Sequence, residues 1–128
     1  MDIAGAEFWQ AVVGAAAGEA LRRKCHHLES CTVALEIGGQ RHAVEFHKGS
    51  VVLDAAPGPR GAQVVIRGPI EEWERLIGGE IHYMRAINGL HGRLRLDGDL
   101  LVATWAGPAL CELVRVAVQV RNGVIVDG

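Results

Sequence analysis

Near residue 30 the spacing of apolar residues changes from three-and-four to two, and this switch constrains the fold more than any other feature. Phe8, Trp9, Val12, Val13, Ala16, Ala17, Ala20 and Leu21 recur at helical spacing and make one wide apolar stripe. The pattern predicts a helix over about 2–27. Asp2 would cap its start, and Arg22, Arg23 and Lys24 would sit at the negative end of the helix dipole. Gly14 and Gly18 each cost such a helix about 1 kcal/mol relative to alanine, and their small surface leaves room for a close neighbour. Cys31, Val33, Leu35 and Ile37 then alternate with Thr32, Ala34 and Glu36, the pattern of a half-buried strand. Gly38-Gly39 marks a hairpin, and the chain returns with His42, Val44 and Phe46 on one face. After a turn at 47–50, Val51 to Leu53 and Ala62 to Arg67 read as further strands, separated by a loop from Ala56 to Gly61 rich in proline and glycine. These strands predict an antiparallel meander with one face covered and the other solvated.

The second half returns to helical spacing. Pro69 suits a first helical position, Glu71 and Glu72 suit the positive dipole end, and Ile70, Trp73, Leu76 and Ile77 form the inner stripe. Gly78 stops that helix. A shorter helix is expected from Glu80 to Asn88, with Ile81, Met84 and either Ile87 or Tyr83 facing inward, followed by a strand over 92–99. Leu100 to Ala106 fits a helix or a hairpin strand equally well. Gly107-Pro108 breaks the pattern, so a helix is expected from about Pro108, passing into an irregular or strand-like tail. That tail rests on the alternation of Val114, Val116, Val118 and Val120 and on the hairpin signal Asn122-Gly123. The 128 residues therefore read as one domain: a helix over about 2–27, sheet and helices over 31–118, and an open tail over 119–128.

Composition narrows the function. Thirteen Lys and Arg against fifteen Asp and Glu leave a net charge of -2, and the basic residues are dispersed, which argues against nucleic acid. The three Trp, two Phe and one Tyr supply few stacking platforms. No secretory start and no apolar run of membrane-spanning length is present, and the odd count of three cysteines fits a reduced, cytoplasmic compartment. Cys25, His26, His27 and Cys31 offer metal-ligand types, but no second pair at finger spacing follows. Asp97-Gly98-Asp99 reads as a turn rather than a cation site. There is no nucleophile elbow, phosphate loop or dinucleotide fingerprint, so neither cofactor nor metal is expected and no catalytic residue is assigned.

One stretch carries a resemblance. Val64-Val65-Ile66-Arg67-Gly68 leads into the helix with Trp73 and on to Leu76-Ile77-Gly78-Gly79. Ala86-Ile87-Asn88-Gly89 follows, and then Gly92-Arg93-Leu94-Arg95-Leu96-Asp97-Gly98-Asp99. In this order, and with the helix and meander before them, these residues resemble the sterol carrier protein type-two (SCP-2-like) domain. Two features depart from it. Gly107-Pro108 interrupts a stretch where the family's helices run on, and the valine-rich tail with Asn122-Gly123 has no counterpart. The resemblance implies an α+β domain whose mostly antiparallel sheet of about five strands is covered on one face by helices, with an apolar tunnel between. It also implies binding of a lipid, sterol, fatty acyl or polyketide-like molecule without cofactor or metal.

The residues suited to line such a tunnel are Trp9, Val44, Phe46, Trp73, Ile77, Tyr83, Met84, Ile87, Leu94, Trp105, Leu110 and Leu113. An aromatic-poor core of small residues can keep a cavity open if a ligand fills it, each buried methylene contributing about 0.8 kcal/mol. His42, His82, Arg85 and His91 are the polar candidates, since a histidine titrates near neutrality and an arginine can meet an acidic head group. His42 reads either as a half-buried ring bonded to backbone or as a polar group in the cavity. The primary expectation is a cytoplasmic carrier, monomer or homodimer, that exposes its ligand briefly to a membrane or enzyme partner. One alternative is a cofactor-independent cyclase or isomerase using the same cavity. A second is an assembly subunit docking through Gly14 and Gly18.

Overall fold

The structure, a computed structural model, describes residues 2–16, 19–25, 31–47, 49–54, 62–90 and 92–123. Its N-terminus differs from the single helix expected over 2–27. Asp2 closes a turn, accepting from Ala4 N through its side chain and from Gly5 N through its carbonyl, both at 3.0 Å. Helix α1 (Ala6–Ala16) starts only after this turn, and the chain is again helical over α2 (Glu19–Cys25), residues 17 and 18 between them lying outside the described residues. A Cβ at Gly14 would meet nothing within 4 Å, so no close neighbour uses that glycine. Gly18, His26, His27, His91, the loop after residue 54 and the last five residues lie outside the described residues.

Strands β1 (Cys31–Ile37), β2 (Gln40–His47) and β3 (Ser50–Asp54) form the expected meander, with Ile37 paired to Gln40 across Gly38-Gly39. Strand β4 (Val64–Gly68) does not extend it. It lies parallel to β1 on the far side, with Val33 beside Val64 and Ile37 beside Gly68. Alternation identifies the buried face of a strand but not its neighbour. Placed beside the central strand, β4 buries Val64 and Ile66 in the same layer as Val33, Leu35, Val44 and Phe46. Helix α3 (Ile70–Ile77), helix α4 (Tyr83–Ala86) and strand β5 (Arg95–Gly98) follow, the latter two shorter than expected. The sheet has five strands among the described residues, in the order β3-β2-β1-β4-β5, and only the β1–β4 pairing is parallel.

Helix α5 (Leu100–Arg121) overturns the expected break at Pro108 and the strand-like tail. Asp99 caps it by accepting from Leu101 N and Val102 N at 3.0 and 3.2 Å. Ala103, Ala106, Ala109, Leu110, Leu113, Val116 and Ala117 bury one face of the helix on both sides of the proline. Asn122-Gly123 is the helix end rather than a hairpin: Gly123 has φ 74° and donates to the Val120 carbonyl at 3.1 Å. By length and mean hydropathy (1.5) α5 could cross a membrane, yet 44% of that stretch is buried inside the fold, as in the core helix of a globular domain.

The helices cover one face of the sheet. On the other face, Arg41, Glu36, Arg67, Asp97 and Arg95 form a row of ion pairs at 3.2–3.4 Å, all at least partly exposed. Two glycines of the 92–99 stretch have backbone reasons to be there. A Cβ on Gly98, whose φ is 109°, would stand 2.3 Å from the Gln63 carbonyl, and one on Gly92 would stand 2.0 Å from that of Ala86. Between them the fully buried Glu72 accepts from Arg75 and from the Arg93 backbone, pinning the entry to β5 onto α3.

Pro108 is exposed, and it removes the N–H that would bond the Thr104 carbonyl. Pro108→Ala is therefore expected to raise unfolding free energy by about 1–3 kcal/mol. Urea denaturation would show a higher midpoint with an unchanged slope; a lower midpoint would mean that the fixed proline φ helps hold the helix.

Candidate functional site

Chain geometry after α3 creates a concavity. Gly78 and Gly79 end that helix, with Gly79 at φ 81°, and the chain swings through Ile81 and His82 into α4. His82 caps α4, its Nδ1 accepting from Met84 N at 3.1 Å. The C-terminal half of α5 runs alongside, tied to α3 where Arg121 donates to the Glu74 carbonyl at 3.2 Å. Between them lies a cleft of about 490 Å³. Leu76, Gly79, Ile81, His82 and Tyr83 form one wall; Cys111, Glu112, Val114, Arg115, Val118 and Gln119 of α5 form the other, with Lys24 of α2 at the end.

Beneath the cleft is a void of only about 10 Å³, lined by Trp9, Leu35, Ile66, Trp73, Leu110 and Leu113 together with Leu76, Tyr83 and Val114. Those last three side chains belong to both spaces, so they are at once the floor of the cleft and the roof of the void. The apolar tunnel expected between sheet and helices is thus not open from end to end. A cleft leads inward and stops at a layer one side chain thick. The deeper space is closed by Trp9, which stands edge-on to Trp73 at 6.4 Å and donates to the Ile3 carbonyl at 2.7 Å.

Two cations at the cleft share one carboxylate. Glu112 is 4% exposed, and both its oxygens accept from Arg115 Nε at 3.0 Å, with Lys24 Nζ at 3.4 Å. The Arg115 hydrogen bond, with help from Lys24, holds the Glu112 carboxyl below its ordinary range despite burial. Burial pushes the Cys111 thiol up, against the pull of Lys24, and pushes the Tyr83 phenol up as well. Cys31 is pushed up to about 11 by burial and by Asp99. Cys31 and Cys111 are free thiols held in their protonated form, the opposite of an activated nucleophile. Gln119 contributes an amide oxygen that is buried and has no hydrogen-bond partner. Among the described residues no group of three His, Cys, Asp or Glu is placed to hold a metal.

No family profile and no curated protein matches the chain. Solved structures do. A crystal structure of sterol carrier protein 2 superposes with a TM-score of 0.73 at 22% identity, covering 92% of this chain and 98% of that one. A conserved hypothetical protein from Thermus thermophilus gives 0.71 at 23% identity, over 94% and 90% of the two chains. Sterol carrier protein 2 from Yarrowia lipolytica, in its apo form, gives 0.54 at 12% identity, over 87% of each. The fold is that of sterol carrier protein 2.

Within this SCP-2 fold the sequence-derived candidates divide. Tyr83 and His82 line the cleft, and Trp9, Trp73, Leu110 and Leu113 surround the void with Tyr83. Val44, Phe46, Ile77 and Leu94 are buried in the core away from both spaces, and Ile87 is half-buried. Met84 and Trp105 line neither space: they are 55% and 54% exposed, on the single turn of α4 and the outer face of α5. His42 is half-buried beside Trp9, its Nε2 2.7 Å from the Ala4 carbonyl, so it tethers the N-terminal turn rather than facing a cavity. Arg85 is exposed on α4, and His91 lies outside the described residues. Sequence reading missed Lys24, Cys111, Glu112, Arg115, Val118 and Gln119 as a wall. Helical spacing carried through Cys111, Val114, Arg115 and Val118 is the signal that would have found it.

Because the folded Glu112 carboxyl lies below the ordinary 4.5, its pairing contributes stability present above that pH and lost as pH falls through the lowered value. Glu112→Gln is expected to be less stable than the parent at neutral pH and to lose less further stability below pH 4.5. Urea midpoints across that range check this, and parallel curves for the two proteins would remove the assigned role.

Proposed function

We propose that this protein binds a hydrophobic small molecule in the cleft between α4 and α5 and carries it with its polar end toward solvent. The observation that carries the reading is the thin partition of Leu76, Tyr83 and Val114, which separates an apolar cleft from a deeper apolar void. The cleft volume is in the range of small-molecule sites, and its exposed surface is mainly apolar although several polar side chains line it. Rotamer changes in the three partition residues would join cleft and void without moving the sheet. The likeness to sterol carrier protein 2 supports this reading, since that protein's name specifies the same class of cargo. A ten-carbon chain buried there would gain about 8 kcal/mol gross at 0.8 kcal/mol per methylene, enough to offset the cost of immobilising it.

Native mass spectrometry of freshly purified protein, followed by solvent extraction, is expected to show one apolar molecule per chain. Val118→Trp, which fills the cleft from a half-buried position, should lower affinity for a ten-carbon probe by at least about tenfold while leaving the circular dichroism unchanged. Cys111 gives an independent readout, because an occupied cleft shields its thiol: probe binding should slow maleimide labelling at Cys111, mapped by peptide mass. A protein that is empty as purified, takes up no probe and labels at one rate throughout would overturn the reading.

A further inference from the structure

We infer that the ligand's polar end is a carboxylate, drawn to the end of the cleft where Lys24 and Arg115 flank Glu112. This rests on the carrier reading above and names the head group that the cleft selects. Glu112 is buried and needs one cation, and Arg115, one turn further along α5, supplies it. Arg115 Nε donates to both carboxylate oxygens at 3.0 Å, and Nη2 donates to Oε1 as well. Lys24 reaches the same carboxylate from α2, its Nζ 3.4 Å from Oε2. The cluster therefore holds two positive charges and one negative, one cation more than the buried carboxylate requires. A monoanion balances it, whereas a phosphate monoester, at about −1.5 to −2 near neutral pH, overshoots.

The donors are placed for such a partner. Lys24 and Arg115 both line the cleft and are 46% and 51% exposed, so a head group reaches them without entering the interior. Glu112 takes the Nε and Nη2 side of the guanidinium, which leaves the Nη1 side and the Lys24 ammonium able to serve a second acceptor. On the facing wall His82 accepts from Met84 N through Nδ1, so its ring proton sits on Nε2 and makes that nitrogen a further donor. A carboxylate brings two acceptor oxygens and one negative charge to these groups. A hydroxyl brings no charge to answer the surplus cation, and an ammonium meets an excess of its own sign. The same lining offers Leu76, Ile81, Val114 and Val118 to the alkyl chain behind the head group.

The test compares decanoate with decan-1-ol by isothermal titration calorimetry at neutral pH on the full chain, at low and high salt. At low salt the parent should bind decanoate at least about threefold more tightly than the alcohol, and added salt should close that gap, because only the charged head group is screened. Lys24→Met keeps the Glu112–Arg115 pair and removes the surplus cation. It should weaken decanoate by about two- to fivefold, the worth of a half-exposed ion pair, and leave the alcohol where it was, while Lys24→Arg should retain the preference. Equal affinities in the parent, tighter binding of the alcohol, or a preference that salt leaves untouched would overturn the head-group assignment and leave the carrier reading standing. So would a Lys24→Met protein that prefers decanoate as strongly as the parent, or one that loses both ligands alike. Binding of neither compound would instead sink the carrier reading on which the assignment rests. The parent comparison and its salt dependence need no substitution, so they decide the matter even if a variant unfolds.

Discussion

Helix α5 stays helical through Pro108, and the rest of the molecule depends on it. A proline inside a helix costs about 3 kcal/mol, through a lost N–H and a clash with the preceding turn. Beyond Pro108 the helix buries Leu110, Leu113 and Val116, each contributing about 1.5–3 kcal/mol when removed from water. Three such residues outweigh the one defect. The defect is also placed where it does least harm, since Pro108 and Thr104 face solvent while Ala106 and Ala109 face the core. If the helix broke there, α1, α2 and α3 would lose their common partner, and one whole wall of the cleft would disappear.

The same residue shows why sequence reading stopped where it did. Helical spacing runs from Ala103 to Ala117, but local rules end a helix before proline, and the valines at 114, 116, 118 and 120 also fit period two. Only the tertiary burial of Leu110, Leu113 and Val116 decides between the periods, and burial is not written in the local pattern. The meander, the α3 stripe and the five-strand count were legible because alternation and turn glycines specify them directly. The side of the sheet on which β4 lies was not, because alternation says which face is buried and nothing about which edge is joined. Met84 and Trp105 failed for a related reason: size and apolarity suggested lining, whereas their helical positions turn them outward.

The resemblance in the 92–99 stretch has a physical basis. Gly98 and Gly92 stand where any side chain would strike a carbonyl, Asp99 caps α5, and the buried Glu72 fixes the Arg93 backbone from the neighbouring helix. Each is a backbone requirement of this arrangement of β5 between α4 and α5. Such requirements are set by backbone geometry, and the fold is shared with solved structures at 22–23% identity. They do not specify what the fold holds. The cleft wall comes from other positions, those of α5 after Pro108.

That wall mixes charged, polar and aliphatic side chains. Lys24 and Arg115, each about half exposed, hold the buried Glu112; Gln119, Tyr83 and Cys111 add polar groups, and Leu76 and Val114 are shared with the void. Below the floor every lining residue named is apolar or aromatic. Lys24 and Arg115 carry one positive charge more than Glu112 neutralises, so the cleft combines a cationic rim with an apolar floor. On the carrier reading, a chain that fits the cleft would leave Leu76, Tyr83 and Val114 in place, and a longer one would have to displace them toward the packed tryptophans. Interiors at crystal-like density resist such displacement. On that reading, the floor of the cleft and the tryptophans beneath it therefore limit the length of chain that can enter.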